Sequence, residues 1–294
     1  MVGPVKSPTA LEKLGRRLKW RRVGAGELPT IADRLAAWES PAGGAARHMF
    51  ALSTIEAFGA EPIRIAADDD RWAVAVVFPG RLLIPCGDPA AIAAAPPATK
   101  RWRLMVGDVA AGDAALERAG TDPDLIVHDQ RFLTVDPDRV PDDAELADPG
   151  LRRAQREDLD RLAELAVRLH VDDRFGPHPG QAGLRGYRQR IEANLNQGLV
   201  WCVGPIGSPV VKLERSVSSG RYGVQFAGIV VDGAARGEGL GRALVAAAVR
   251  GALVEGGRSR AISLHVRADN APALKAYEAA GFVDREPWRL AVRS

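Results

Sequence analysis

The 294-residue sequence predicts an α/β (α+β) fold of two tandem units, each a mixed, mostly antiparallel central sheet flanked by helices. Three observations carry that expectation. Short runs rich in β-branched residues alternate with stretches of helical apolar period along the chain. Composition changes at residues 136–150, where Asp136-Pro137-Asp138 and Asp148-Pro149-Gly150 make an acidic, Pro-rich linker. The parts on either side echo each other faintly: Ala115-Leu116-Glu117-Arg118-Ala119-Gly120 resembles Ala276-Tyr277-Glu278-Ala279-Ala280-Gly281, and Arg21-Arg22-Val23 resembles Arg152-Arg153-Ala154.

The division expected is a basic leader (1–17), a first unit (18–135), the linker (136–150) and a second unit (151–294). The leader carries Lys6, Lys13, Arg16 and Arg17 and reads as a solvated basic segment with a helix at 9–19. It has no interleaved aromatics, and the net charge of the whole chain is only +3, so neither a nucleic-acid nor a membrane partner is expected. In the first unit a strand (20–23) precedes helices at 27–38 and 45–58. Strands at 63–66, 72–78 and 81–85 follow, with a Pro79-Gly80 turn between the last two. A helix at 89–95 has Pro89 in its first turn. A strand (102–106), a helix (110–119) and a strand (125–135) complete the unit.

The second unit opens with a strand at 151–154 and a helix at 157–170, with Leu159, Leu162, Ala163, Leu165, Ala166 and Leu169 on its apolar side. A polar loop (170–180) holds two His and two Asp. No ligand spacing supports a metal there, so it reads as a substrate-side loop and no metal is expected. A helix (184–197) and antiparallel strands at 199–203, 210–214 and 222–231 follow. Hydrophobic content of 46% and charged content of 26% are globular averages. Cys86 and Cys202 stand apart, without a disulfide or zinc pattern. With no signal-like or membrane-spanning apolar run, a cytoplasmic protein is expected, either a monomer or a homodimer.

The chemistry concentrates in residues 222–282. A β-branched strand (224–231) leads through Asp232-Gly233-Ala234-Ala235 into Arg236-Gly237-Glu238-Gly239-Leu240-Gly241 and an amphipathic helix (240–254). A Gly-rich turn entering a helix leaves several N–H groups unpaired at the positive end of the dipole, a seat for phosphates. Arg242-Ala243 after Gly241 excludes the Lys-Ser/Thr ending of a Walker loop, and glycines at 237, 239 and 241 break the dinucleotide G-x-G-x-x-G rhythm. Farther on, a strand (261–266) precedes Asn270-x-x-Ala273-x-x-x-Tyr277-x-x-x-Gly281-Phe282, which reads as a helix with a C-cap glycine and a final strand (282–292).

Arg236-x-x-Gly239-x-Gly241 and the Asn270–Phe282 pattern together resemble the GNAT superfamily of N-acetyltransferases. The resemblance rests on motifs in the second half and on element pattern alone in the first, which would be a degenerate GNAT-like unit. It lacks the Gly loop and has Leu116 where Tyr277 stands. What the resemblance implies is an acetyl-CoA-dependent N-acetyltransferase acting on an amine of a small molecule or protein, by direct attack on the thioester. Acetyl-CoA would be held by Ile229, Val230, Val231, Arg236, Gly237, Glu238, Gly239, Leu240, Gly241, Arg242, Asn270, Ala273 and Tyr277. Tyr277 would protonate the leaving thiolate. Asp172 and Asp173 would attract the amine acceptor, with Gln225 beside it. The base is open: Gln225 stands where many relatives carry Glu and cannot titrate near neutral pH, leaving Glu214, His265 or a water relay. A CoA-binding regulatory or scaffold protein without turnover is the other reading.

Overall fold

The computed structural model describes residues 18–78, 81–120, 122, 124–142, 148–257 and 260–293. The basic leader (1–17) lies outside the described residues, as do the Pro79-Gly80 turn and part of the linker. The first unit runs β1 (Arg21–Arg22), α1 (Leu28–Ala36), α2 (Gly44–Arg47), α3 (Met49–Phe58), β2 (Ile63–Ala67), β3 (Trp72–Phe78), β4 (Leu82–Gly87), α4 (Pro89–Ala94), β5 (Leu104–Asp108), α5 (Val109–Ala119) and β6 (Leu125–Val135). The second repeats that order with two helices instead of three between its first strands: β7 (Arg152–Arg153), α6 (Leu159–Asp172), α7 (Gly180–Asn196), β8 (Val200–Val203), β9 (Val211–Ser219), β10 (Gly223–Val231), α8 (Leu240–Gly256), β11 (Ala261–Arg267), α9 (Ala271–Glu278) and β12 (Phe282–Arg293).

The two sheets are one. All twelve strands form a continuous sheet in the order β1-β2-β3-β4-β5-β12-β6-β11-β10-β9-β8-β7. Pairing is antiparallel except between β4 and β5 and between β10 and β11. The terminal strand of each unit lies in the other's half. β12 pairs with β5 of the first unit, from Trp288 opposite Asp108 to Val292 opposite Leu104. β6 pairs with β11 of the second, with His265 opposite Phe132. The two exchanged strands pair with each other from Phe282 opposite Val135 to Arg293 opposite Leu125. The periodicity of 125–135 and 282–292 marks them as strands but does not name their partners.

Several boundaries shift for local reasons. The expected helix at 45–58 breaks at His48 (φ −100°, ψ 16°), whose Nδ1 lies 3.0 Å from Leu35 O. Strand 210–214 continues to Ser219, where the Ser219 hydroxyl reaches Glu56 on α3 at 2.7 Å. The expected loop at 170–180 is shorter, because α6 carries His170 and Asp172 and α7 already begins at Gly180. Of the linker, 136–142 packs on the second unit: Asp136 N donates to Gly281 O at 2.9 Å and Val140 lies against the apolar core.

The second unit's core packs α8 and α9 on one sheet face through Leu244, Val245, Val249, Phe226, Leu264 and Phe282. Each such side chain contributes about 1.5–3 kcal/mol on burial. On the opposite face the two units meet. There Arg47 of α2 pairs with Asp108 on β5 (Nη2 to Oδ2, 2.8 Å) and with Glu286 on β12, all three being largely buried. Removing one member of such a cluster leaves uncompensated charge, which typically costs about 3–5 kcal/mol. Arg47→Met should therefore lower the stability of the whole chain by about that amount at pH 7 in urea unfolding. The deficit should shrink towards pH 4, because burial already raises the Glu286 carboxyl above its ordinary range and a raised group loses its stabilising contribution as pH climbs. An unchanged midpoint at pH 7 would count against the cluster as a strut.

Candidate functional site

β10 and β11 pair in parallel only from Gly223–Ala261 to Phe226–Leu264. Beyond Phe226 the strands separate while β10 runs on to Val231. On its other side β10 changes register against β9: Ala227 opposes Glu214 and Val230 opposes Lys212, so Gly228 and Ile229 together face Leu213. This is a β-bulge, and bulges re-aim backbone groups beside functional sites. Gly228 sits at φ +59°, and a Cβ there would lie 2.7 Å from Lys212 Nζ and 3.0 Å from Glu214 Oε1. Although β10 is an inner strand, Ala227, Gly228 and Ile229 are only half-buried, so the opening reaches solvent.

The strand delivers the chain into the Gly-rich turn. Gly237 (φ 88°) and Gly239 (φ 77°) are both left-handed, a conformation that glycine tolerates without steric cost. A Cβ at either would meet nothing within 4 Å, so open space lies over the turn. The first backbone bond of α8 is Ala243 N to Gly239 O, 3.0 Å. No protein acceptor among the described residues takes the N–H groups of Gly237, Glu238, Gly239, Leu240, Gly241 or Arg242. Six free donors at the positive end of a 17-residue helix have the chemistry that suits an anion. Arg236 is held beside it, with Nε donating to Val231 O at 3.1 Å and Nη2 to Asp172 Oδ2 at 2.5 Å. Asp232 at the turn's entrance is paired by Arg161 and Arg168 of α6.

α9 follows β11 in the chain and packs against α8 and β12. Asn270 caps the helix, its Oδ1 accepting from Ala273 N at 3.3 Å, so its side-chain oxygen serves the helix end. Ala273 is half-buried against the core and Tyr277 is 8% exposed. No hydrogen bond to a described residue occupies the Tyr277 hydroxyl, and burial together with the Asp173 charge pushes its pKa above the ordinary phenol range. It is therefore a neutral, uncommitted donor.

Other expectations change. Glu214 is neither a solvated carboxylate nor a free base. It is 3% exposed, and its oxygens take Lys212 Nζ (2.5 Å), Arg190 Nη2 (3.3 Å) and Asn194 Nδ2 (2.8 Å). Burial alone would raise its pKa, but the Lys212 and Arg190 charges outweigh that and hold it below the usual carboxylate range. Gln225 offers no free group either: its Oε1 accepts from Ser216 Oγ (3.2 Å) and its Nε2 donates to Ser263 Oγ (3.4 Å). Asp172 and Asp173 part company. The first is tied to the Gly-rich turn through Arg236, and only the second interacts electrostatically with Tyr277. His265 packs against Phe132 and Trp288 with Nδ1 buried and unpartnered, and burial draws its pKa down to about 3. Among the described residues no group of three or more His, Cys, Asp or Glu could hold a metal ion.

Residues 152–282 match the family model of the acetyltransferase (GNAT) family. The second unit is a GNAT acetyltransferase domain. The chain that carries it is an acyltransferase. Two solved structures share the fold of both units. One is a GCN5-related N-acetyltransferase from Sphaerobacter thermophilus (18% identity, 94% of this chain and 95% of that one, TM-score 0.57). The other is a GNAT-family acetyltransferase from Colwellia psychrerythraea (11% identity, 93% and 98%, TM-score 0.53). No curated protein matches the sequence.

The first unit's corresponding turn is built differently. One residue, Asp88, joins β4 to a six-residue α4, and its carboxylate already takes Ala90 N at 2.8 Å. Where β4 and β5 diverge, Pro85 fills the gap, its Cγ 3.0 Å from where a Cβ on Gly107 would stand. Reading the sequence missed Gly228 and Lys212 in the GNAT domain. A glycine within a β-branched run was the available signal for a bulge. Gly228→Ala should cost about 1–2 kcal/mol from the left-handed backbone. It should also lower turnover more than CoA affinity, because the bulge adjoins the opening while the turn is untouched. Equal losses in both, measured by calorimetry and thiol release, would separate the bulge from the chemistry.

Proposed function

We propose that the protein is an acetyl-CoA-dependent N-acetyltransferase acting on an amine of a small molecule or protein. The observation that carries this reading is the run of six free amides, Gly237 to Arg242, beside the bulge-opened gap between β10 and β11, together with the uncommitted Tyr277 hydroxyl within electrostatic reach of Asp173. Residues 151–294 would be the catalytic domain and 136–150 the linker. Residues 18–135 would be a non-catalytic unit whose terminal strand completes the catalytic sheet. The buried free thiols Cys86 and Cys202 accord with a cytoplasmic setting.

The residues present fit acetyl-CoA. The amides of 237–242 and Arg236 would hold its pyrophosphate, and the strand edge of Ile229, Val230 and Val231, half-buried at Ile229 and Val231, would border its pantetheine. Ala273 is small enough to let the arm pass α9, with Asn270 fixing the helix start. Bound there, acetyl-CoA supplies an acetyl group on a thioester and a thiol as leaving group. The chain's own residues then have definite tasks. Backbone N–H groups freed by the splay beyond Phe226 stabilise the negative charge that develops on the acyl oxygen. Tyr277, neutral at physiological pH, gives its hydroxyl proton to the departing sulfur. The Lys212–Glu214 pair fixes the floor under Gly228, so the bulge needs no reorganisation when charge develops.

Calorimetric titration with acetyl-CoA and with free CoA, followed by thiol release over a panel of amines, tests the reading. Binding at one site per chain with release on at least one amine is expected. Binding without release on any amine would move the protein to a CoA-responsive regulator. Gly239→Asp places a carboxylate among the free amides and should weaken CoA binding by at least about tenfold, from the lost dipole complementarity and added repulsion. Tyr277→Phe should leave CoA affinity within about twofold and lower kcat by about 100- to 10,000-fold, the range for losing an acid catalyst. An unchanged kcat would remove Tyr277 from the reaction.

A further inference from the structure

The proposed transfer lacks one part, the group that takes the amine's proton. The structure closes the obvious routes to it. Glu214 is held by two cations and an amide, Gln225 does not titrate, and His265 resists protonation down to about pH 3. Asp173 is different. It caps α6, with its N–H on Leu169 O at 2.8 Å, and is half-buried. Among the described residues, no hydrogen bond or ion pair engages its carboxylate. The charged and titratable groups around it are Asp172 on its own helix, Arg267 on β11, Asp269 after β11, His128 on β6 and Tyr277 on α9.

The backbone shows that this position is enforced. Arg174, the next residue, has φ +55°, the one positive φ of a non-glycine residue among those described. Such a conformation is sterically costly and persists where the surroundings determine it, often at functional sites. Here they do. Arg267 Nη1 donates to Asp172 O at 3.3 Å, His128 Nε2 lies 3.1 Å from Arg174 O, and Phe175 N donates to His170 O at 3.0 Å. The side chain of Asp172 is tied to Arg236 of the Gly-rich turn, leaving its neighbour Asp173 as the uncommitted carboxylate of the pair, within electrostatic reach of Tyr277.

We propose that Asp173 is the proton acceptor of the transfer and the group that draws in a cationic primary amine. This rests on the acetyltransferase reading of the same site. Atoms balance as follows. The ammonium substrate releases one proton to solvent on becoming nucleophilic. Its nitrogen forms the N–C bond to the acetyl carbon and passes its surplus proton to Asp173 as the C–S bond breaks. Tyr277 gives the sulfur its hydroxyl proton, and Asp173 returns a proton to the Tyr277 oxygen, restoring both groups. Burial raises the Asp173 carboxyl above its ordinary range, while Arg267 opposes that rise. A carboxyl raised in this way is a stronger base than an exposed aspartate.

The test compares wild type with Asp173→Asn and Asp173→Glu, using acetyl-CoA with spermidine, tyramine and a lysine-bearing peptide as acceptors. Asp173→Asn should lower kcat by about 100- to 10,000-fold, the usual loss for a general base, and erase the acidic inflection of the kcat/KM profile. Asp173→Glu should restore part of the rate with the inflection displaced. Calorimetry should give free CoA the same affinity in all three within about twofold, which a merely structural defect would not preserve. Infrared difference titration of the unliganded proteins should show a carboxyl band in wild type, absent from Asp173→Asn, whose midpoint matches the kinetic inflection. Retention of the inflection by Asp173→Asn, or no such band, overturns the proposal while leaving the transferase intact. Wild type that binds CoA but acetylates none of the amines overturns both readings, before any variant is considered.

Discussion

Exchange of terminal strands is the constraint on which the rest of the molecule depends. β11 forms one wall of the gap that opens beside β10, and its other edge is paired along Ser263–Arg267 with β6, a strand of the first unit. The wall is therefore held by a strand from the other half of the chain. β12 in turn completes the first unit against β5. Neither half closes its sheet alone, and the long β6–β12 ladder joins them. A gap between strands, normally a weakness in a sheet, becomes a stable opening because both of its borders are paired on their far sides. The buried Arg47–Asp108–Glu286 cluster ties the same seam from the helical layer.

Within this shared frame the two units have diverged at one structural junction, the passage from the fourth strand of each unit to the helix that follows. In the second unit an eight-residue turn, 232–239, leads into the 17-residue α8 and leaves six amides free. In the first, a single residue, Asp88, caps a short helix with its own carboxylate, and Pro85 occupies the space between the splayed strands. An anion would meet donors at one junction and a negative charge at the other. The first unit lends β6 to the shared sheet and packs α3 on β9 and β11 through Ser219–Glu56 and Met49–Ser263 contacts.

What the sequence revealed was local. Glycines at 237 and 239, the Arg at 236, the cap at Asn270 and the Tyr at 277 act through backbone conformation and short spacing, which a linear reading captures. Most elements were legible within a few residues, because apolar period and turn chemistry are local properties too. Three things were not. The exchange of β6 and β12 depends on pairing between strands about 150 residues apart, and alternation is blind to the partner. The role of Glu214 depended on Lys212, two residues away on the same strand and within local reach, and on Arg190 and Asn194 of α7, which were not. The separation of Asp172 from Asp173 followed from the end of α6 and the left-handed Arg174, where adjacent identical residues turn to different neighbours.

Amide hydrogen exchange, followed peptide by peptide with and without acetyl-CoA, tests the central claim most directly. The account predicts that acetyl-CoA slows exchange across residues 236–243 while the β4–α4 junction around Asp88 is unaffected, since the free donors lie at the first place and not at the second. Protection around Asp88, or none across 236–243 at saturating acetyl-CoA, would contradict it.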